Sequence, residues 1–240
     1  MAMSSLPAVL STLREARAQR RYLRAPQPLF FPTSEEVPES RWHLELRTAL
    51  FLMLQEAFGH VAIIGSDQFM YWEPANPRAC VAPDVMVRLG ETDAQFESWK
   101  VWERGAPQLA IELVSKGDPM GLAWTEKLER YRHVGIVELV RFDRDDERAP
   151  LRLWDNVDGD LVERDPEAPG FTRCDVLDGY WIAARDARRG PWLRLSRDAL
   201  GGDLFLTPSE RAENERARAD RADARVAELE AELARLKNGR

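Results

Sequence analysis

The apolar run Leu109–Val114 limits the possible folds of this chain more than any other segment. It is long enough to form a central strand of a sheet, yet it contains one carboxylate, that of Glu112. An ionised carboxylate is costly to bury unless it is paired with a cation or bound to a metal. Because side chains alternate along a strand, Glu112 shares a face with Ala110 and Val114. The run therefore predicts a buried strand with an acid in the protein interior.

Two segments have the periodicity of amphipathic helices. Residues 39–58 predict a long helix that ends at Gly59, and residues 119–134 predict a second helix with Asp118 as its N-cap and Gly135 as its end. The apolar face of the first helix is formed by Leu46, Ala49, Leu50, Met53 and Ala57.

Short extended segments lie before, between and after these helices. Residues 61–64 and 69–72 are predicted to form a hairpin through Gly65-Ser66-Asp67. Further strands are predicted at residues 84–89, 108–115, 137–142, 151–154 and 161–164, the last two as a hairpin, before a less regular region that extends to about Leu204. The order of elements predicts an α/β fold in which helices flank a mixed sheet.

The C-terminal segment, residues 207–240, is predicted to be one long coiled-coil helix. Thr207-Pro208-Ser209-Glu210 has the pattern of a capping box with proline at the first helical position. An apolar stripe with alternating three- and four-residue spacing, broken by Glu215, is formed by Ala212, Ala219, Ala222, Val226, Leu229, Leu233 and Leu236. This stripe predicts a homodimer; the alternative is a terminal helix that folds back on its own domain.

Composition restricts the class of protein. Two cysteines are too few for a disulfide scaffold, which favours a cytoplasmic protein, and no apolar run approaches the roughly 20 residues of a membrane helix. The net charge is −7, with an arginine-rich arm or helix of +4 at residues 1–25 and a balanced C-terminal helix, so residues 26–207 carry −11. An acidic body is unusual for a protein that binds nucleic acid. The predicted domain occupies residues 26–204.

Three charged residues lie where their predicted elements disfavour charge. Glu112 is inside an apolar strand, Asp84 opens another apolar strand directly after a proline, and Lys127 lies between Trp124 and Tyr131 on a short helix, which should place its ammonium over an aromatic ring. Taken singly, each has a simpler explanation: an edge-exposed glutamate, a turn-forming aspartate and a solvated lysine.

The segments that contain these residues resemble a known family. They are Cys80-Val81-Ala82-Pro83-Asp84-Val85, Gln108-Leu109-Ala110-Ile111-Glu112-Leu113-Val114-Ser115, Lys127-x3-Tyr131-x3-Gly135 and Val137-Glu138-Leu139-Val140-Arg141-Phe142-Asp143. Together they are similar to the signature elements of the Uma-two family of restriction-endonuclease-like proteins, a branch of the PD-(D/E)xK nuclease superfamily. The resemblance extends from Arg41 to Asp143, and it implies a restriction-endonuclease-like fold.

The resemblance also implies a function and a site. A Mg²⁺- or Mn²⁺-dependent endonuclease that hydrolyses DNA would hold its ion between Asp84 and Glu112, with the Leu113 carbonyl as a possible third ligand. Lys127 would be the catalytic lysine and Lys116 the alternative. An extra acid could come from Glu39 or Glu45. A non-catalytic interaction protein built on the same fold and assembled through its coiled coil is the rival interpretation, which the acidic body favours.

Other patterns carry less information. The sequence has Ser115-Lys116-Gly117-Asp118 where the family commonly has Ser-Pro-Ser-Thr, and Leu139-Val140 where it has Tyr-Trp. Neither change removes a proposed ligand. The three histidines, His43, His60 and His133, lack metal-ligand spacing and are interpreted as surface or capping residues.

Overall fold

A computed structural model of the chain describes residues 40–92, 95–114 and 123–238. In chain order its elements are α1 (Arg41–Phe58), β1 (Ala62–Gly65), β2 (Met70–Tyr71), β3 (Cys80–Val81), β4 (Val85–Leu89), β5 (Trp99–Lys100), α2 (Val101–Arg104), β6 (Leu109–Val114), α3 (Trp124–Val134), β7 (Glu138–Asp143), β8 (Leu151–Val157), β9 (Asp160–Glu163), β10 (Phe171–Cys174), β11 (Gly179–Asp186), β12 (Gly190–Ser196) and α4 (Pro208–Asn238). The predicted arm at residues 1–25 lies outside the described residues.

A six-stranded mixed sheet lies at the centre, with the strand order β1-β4-β6-β7-β8-β9. Strands β6 and β7 run parallel, and the other neighbouring pairs run antiparallel. A parallel pair needs a crossover connection, and α3 lies in the segment that joins β6 to β7. The predicted α/β fold, a mixed sheet flanked by helices, is confirmed.

Each face of this sheet is covered by different elements. One face packs against α1 and a second, three-stranded sheet of β10, β11 and β12, in a core that includes Leu46, Leu50, Val85, Ile111, Phe142 and Trp181. The other face packs against α3 and a small sheet of β2, β3 and β5, in a core that includes Met70, Met86, Trp99, Ala110, Tyr131 and Leu139. Alternation along β6 therefore sends Ile111 to α1 and its neighbours Ala110 and Glu112 to α3.

The two flanking helices have defined ends. Ser40 is the N-cap of α1, and its hydroxyl oxygen accepts the backbone N–H of His43 at 3.2 Å. Gly135 ends α3 in the left-handed region, with φ of 83°, which glycine adopts without strain. The end of α3 at Gly135 confirms the prediction. The starts of both helices differ from it: α1 begins at Arg41 and not at residue 39, and α3 begins at Trp124, with Ala123 as its N-cap. The predicted cap Asp118 lies outside the described residues.

Two strand predictions are wrong. The segments at 61–64 and 69–72 do not form a hairpin, because β1 pairs with β4 in the central sheet whereas β2 pairs with β3 and β5 in the small sheet. The region before Leu204, predicted to be less regular, contains the antiparallel strands β10, β11 and β12. The predicted hairpin of β8 and β9 is confirmed.

Helix α4 begins with the predicted capping box. The backbone N–H of Thr207 donates to Glu210 at 2.8 Å, and the N–H of Glu210 donates to the Thr207 hydroxyl oxygen at 3.3 Å. Ion pairs of Glu210 with Arg194 and of Arg211 with Glu56 connect this first turn to the rest of the fold. Within residues 40–92, 95–114 and 123–238, no helix has the length and hydropathy needed to cross a membrane.

Candidate active site

The register of two neighbouring strands brings Asp84 and Glu112 together. In the antiparallel pair of β4 and β6, Val85 lies opposite Ile111 and Met86 lies opposite Ala110. Continuing this register by one residue sets Asp84, just before β4, opposite Glu112. Residues directly opposite each other in an antiparallel pair lie on one face, with Cβ atoms about 5 Å apart. Two carboxylates thus share one end of the central sheet, on the side that faces α3.

Asp84 is held by groups from three parts of the chain. Its Oδ2 accepts the backbone N–H of Leu113 in β6 at 2.6 Å. Its Oδ1 contacts Nε2 of His43 near the start of α1. Its backbone carbonyl accepts the hydroxyl of Ser66 at 2.8 Å. With only 12% of its side chain exposed, the Asp84 carboxylate has a fixed position and orientation.

Glu112 is still more deeply buried, with 3% of its side chain exposed, and both of its oxygens accept hydrogen bonds from α3. Nζ of Lys127 donates to Oε2 at 2.6 Å, and the hydroxyl of Tyr131 donates to Oε1. Lys127 and Tyr131 are four residues apart, so one face of the helix presents both donors. This pairing supplies the compensation that burial of the acid requires.

The electrostatics of this group follow from burial and from the two neighbouring charges. Burial raises the pKa of Glu112, the ammonium of Lys127 opposes that rise, and the negative charge of Asp84 adds to it. Burial and the neighbouring Glu112 raise the pKa of Tyr131 well above its ordinary value, so the phenol stays a hydrogen-bond donor. A cation placed near the two carboxylates would lower the repulsion between them.

A further cation lies on the next strand. Arg141 of β7 is the register partner of Glu112, and its guanidinium lies 5.3 Å from the ring centroid of Trp124 and 2.8 Å from Asp143. The sequence predicted that the Lys127 ammonium lies over an aromatic ring. In the structure that ammonium pairs with the Glu112 carboxylate, and the guanidinium of Arg141 lies over the Trp124 ring instead.

Comparison with known proteins places the chain in a family. The model of the Uma2 (Uma-two) family, described as "Putative restriction endonuclease", matches residues 33–185. The chain belongs to the Uma2 family. The resemblance inferred from the sequence is thereby confirmed.

Other comparisons of this Uma2 chain are more distant. No curated protein matches it significantly. Among solved structures, it is similar to a "putative nuclease belonging to DUF820" from Anabaena variabilis ATCC 29413, with a TM-score of 0.42 and 11% sequence identity. That similarity covers 60% of this chain and 76% of the other.

The structure brings three of the predicted site residues of this Uma2 chain together: Asp84, Glu112 and Lys127. The alternative lysine Lys116 and the extra acid Glu39 lie outside the described residues. Glu45, the other candidate acid, pairs with Arg41 at 2.7 Å and approaches Arg189 at 3.9 Å.

The interpretation of the histidines is wrong for one of the three. His43 is no surface or capping residue, because its ring contacts the Asp84 carboxylate and only 17% of its side chain is exposed. His60 is exposed, and His133 stacks on Trp72 near the surface. No spacing rule could have identified His43, since its partner lies 41 residues away in sequence.

The donor atoms of the site suit a hard divalent cation. Among the described residues, no three side chains of His, Cys, Asp or Glu form a ready-made metal cluster. The site offers the carboxylates of Asp84 and Glu112 on adjacent strands, beside the backbone of Leu113. Such a sparse set of oxygen ligands fits Mg²⁺, which keeps several waters and binds through one or two carboxylates. The residues present therefore fit the ion that the family resemblance implies.

Proposed function

We propose that this Uma2 protein is a Mg²⁺- or Mn²⁺-dependent endonuclease that hydrolyses phosphodiester bonds of DNA. The observation that supports this most directly is the meeting of two carboxylates and one lysine at the end of the central sheet: Asp84 beside Glu112, with Nζ of Lys127 at 2.6 Å from Glu112. Phosphodiester hydrolysis needs charge neutralisation, a positioned water and a cation at the scissile phosphate, and these residue types supply all three.

Asp84 and Glu112 would hold the ion, with the Leu113 carbonyl as a possible further ligand. When bound, a divalent cation polarises the phosphoryl oxygen and lowers the pKa of a coordinated water. Lys127 is the more accessible member of the site, with 28% of its side chain exposed. Its flexible ammonium can leave Glu112 when an ion neutralises that carboxylate, and it can then hold a water or balance charge on the phosphate.

Tyr131 has a supporting role in this proposal. It is fully buried, and its hydroxyl donates to the Glu112 oxygen that Lys127 does not bind. Because its pKa is raised well above the ordinary value, the phenol keeps its proton and holds the carboxylate in place. The Glu112 oxygen on the Lys127 side is then the one presented to an ion.

A second candidate function is a non-catalytic interaction protein built on the nuclease fold. It is favoured by the hydrogen bonding of the two acids, since all four carboxylate oxygens of Asp84 and Glu112 have protein partners without any ion. A buried network that satisfies itself can persist for structural reasons alone. The charge of −11 over residues 26–207 agrees with a partner other than nucleic acid.

Cleavage of plasmid DNA with Mg²⁺ or Mn²⁺ distinguishes the two functions. Asp84→Asn and Glu112→Gln keep side-chain size but remove the charge that holds the ion. Since an ion supplies several kcal/mol of transition-state stabilisation, we expect each variant to lose at least about 100-fold in rate. Glu163→Gln is the matched control, because Glu163 is exposed on β9, the edge strand three positions from β6 in the central sheet. Equal, low cleavage by the wild type and all three variants would favour the non-catalytic interaction protein.

A further inference from the structure

We infer that His43 is a positioning residue of this site, which fixes the orientation of the Asp84 carboxylate for ion binding. The inference rests on the proposed function, because it concerns a ligand of the proposed ion. The direct observation is the contact of His43 Nε2 with Asp84 Oδ1, in which neither side chain is more than one-fifth exposed. His43 reaches Asp84 from α1, a helix that covers the opposite face of the sheet from the one that carries Lys127.

His43 is itself held in place by its helix. Its backbone N–H donates to the capping hydroxyl of Ser40, and Leu46 and Leu50 anchor the helix in the core. The ring of Trp42 lies edge-on to the imidazole, with centroids 6.4 Å apart. The imidazole is therefore presented to Asp84 by a rigid element, which a positioning residue needs.

The two oxygens of Asp84 are fixed from two separate elements. The backbone N–H of Leu113 binds Oδ2 from β6, and His43 contacts Oδ1 from α1. The terminal torsion of an aspartate is broad, so one hydrogen bond alone leaves the plane of the carboxylate free to rotate. Two donors on different oxygens define that plane. The remaining lone pairs of the Asp84 carboxylate then point in a fixed direction. Less conformational entropy is therefore lost when an ion binds.

Two described neighbours of Asp84 do not duplicate this function. Ser66 binds the backbone carbonyl of Asp84 and therefore does not orient its carboxylate. Arg47, one helical turn beyond His43, lies 3.3 Å from the Ser66 hydroxyl and 3.5 Å from Asp67. Loss of a group that orients a metal ligand typically weakens metal affinity by about 10–100-fold.

The test measures Mn²⁺ affinity of the full chain by electron paramagnetic resonance, without DNA. His43→Leu removes the donor and is expected to weaken Mn²⁺ binding by about 10–100-fold. His43→Gln keeps an N–H donor near the position of Nε2 and is expected to restore most of the affinity. His60→Leu is the matched control, since His60 is exposed. Thermal unfolding of each variant separates loss of affinity from loss of the fold.

Each other outcome has a distinct meaning. Unchanged affinity in His43→Leu would overturn the inference and leave the proposed function intact. A ¹⁴N coupling to bound Mn²⁺ in the wild type that disappears in His43→Gln would make His43 a direct ligand and would also overturn it. Absence of Mn²⁺ binding in the wild type would overturn both proposals together. If His43→Leu fails to fold, His43→Asn, whose shorter amide cannot reach Asp84, replaces it in the comparison with His43→Gln.

Discussion

At the scale of single residues, the energetics of the site depend on how the buried negative charge of Glu112 is compensated. Breaking a buried ion pair by removing one partner costs several kcal/mol, because an uncompensated charge remains in the interior. Lys127 and Tyr131 both bind the Glu112 carboxylate, but only Lys127 brings a charge. Removal of Lys127 should therefore raise the pKa of Glu112 further, since the ammonium now opposes that rise.

The role of Lys127 can be tested against the alternative lysine. Lys127→Met should reduce cleavage by at least about 100-fold, because it removes the cation that serves the attacking water and the phosphate. Lys116→Met should have a much smaller effect, and Mn²⁺ binding should be largely retained in both variants. The measurements are cleavage rate and ion affinity. The reverse ranking of the two variants would move the catalytic lysine to position 116.

The sequence predicted the charged residues of the site better than their partners. Glu112 and Asp84 attract attention because a charge in or beside an apolar strand conflicts with its surroundings. His43 lies on a helix whose pattern only separates buried from exposed faces, so its contact with Asp84 depends on how α1 packs against the sheet. Tyr131 was part of the family motif, but its hydrogen bond to Glu112 depends on the rotation of α3 about its axis.

At the scale of elements, the site residues come from two parts of the chain: one continuous segment, and two elements that are distant from it in sequence. The crossover from β6 through α3 to β7 supplies Glu112, Lys127, Tyr131 and Arg141 within about 30 residues of sequence. Asp84 and His43 come from β4 and α1, which reach this unit by packing and strand pairing. The two carboxylates therefore meet only when both parts have assembled.

The sequence predicted helices and central strands well, and the peripheral strands poorly. Central strands are apolar on both faces, so β4, β6 and β7 were evident. Strands β11 and β12 combine arginines and a proline with buried tryptophans. Because β11 is also half-exposed along most of its length, the alternation of apolar and polar residues that marks a strand is obscured. The hairpin predicted through residues 65–67 is wrong because a turn motif indicates only that the chain reverses direction. It does not determine which strands pair.

Glu138 connects the central sheet to the second sheet. It lies at the start of β7 with 1% of its surface exposed, accepts the backbone N–H groups of Asp175 and Val176, and has Arg164 at 3.7 Å. Burial raises the pKa of this carboxyl above its ordinary value of 4.5, against the opposing effects of these donors and of Arg164. Protonation of Glu138 is therefore coupled to the stability of the fold.

This coupling predicts a pH dependence that Glu138→Gln should remove. The folded state binds the proton more tightly than the unfolded state, so the stabilisation is complete below the unfolded pKa and is lost as pH rises through the folded pKa. The free energy of unfolding of the wild type should fall, relative to that of the variant, by at most about 1.4 kcal/mol per pH unit in this window. Urea denaturation from about pH 4.5 to about pH 8 measures it. A difference that is constant with pH would contradict the prediction.

At the scale of the whole molecule, α4 is the least covered part of the described chain. From Arg211 to Lys237 all its residues are exposed, including the apolar stripe of Val226, Leu229, Leu233 and Leu236, each of which is about half exposed or more. Among the described residues, the ion pairs that connect α4 to the domain are those of its first turn, formed by Glu210 and Arg211. A continuous apolar stripe on an exposed helix is typical of a coiled-coil partner surface, and this arrangement does not support a helix folded back on its domain.

We therefore predict that two copies of the full chain associate through this stripe. Leu229→Glu combined with Leu233→Glu places like charges in the proposed seam and should convert a dimer into a monomer in sedimentation. Ala227→Glu combined with Ala231→Glu is the matched control, with the same added charge and spacing but on the outer side of the helix. A wild type that sediments as a monomer would remove the dimer and leave the nuclease proposal unaffected.

The hydrogen bond from Leu113 to Asp84 has a consequence for how the sequence can drift over evolutionary time. Because this carboxylate completes the bonding of a backbone amide in β6, an aspartate at position 84 is useful to the fold whether or not the protein cleaves anything. A descendant that had lost catalysis would still be selected to keep it. Lys127 compensates the buried Glu112 carboxylate, so a descendant without catalysis could lose these two residues together, through apolar replacement of the pair. Among relatives of this protein, the pair of Glu112 and Lys127 is thus a better marker of the proposed activity than the aspartate.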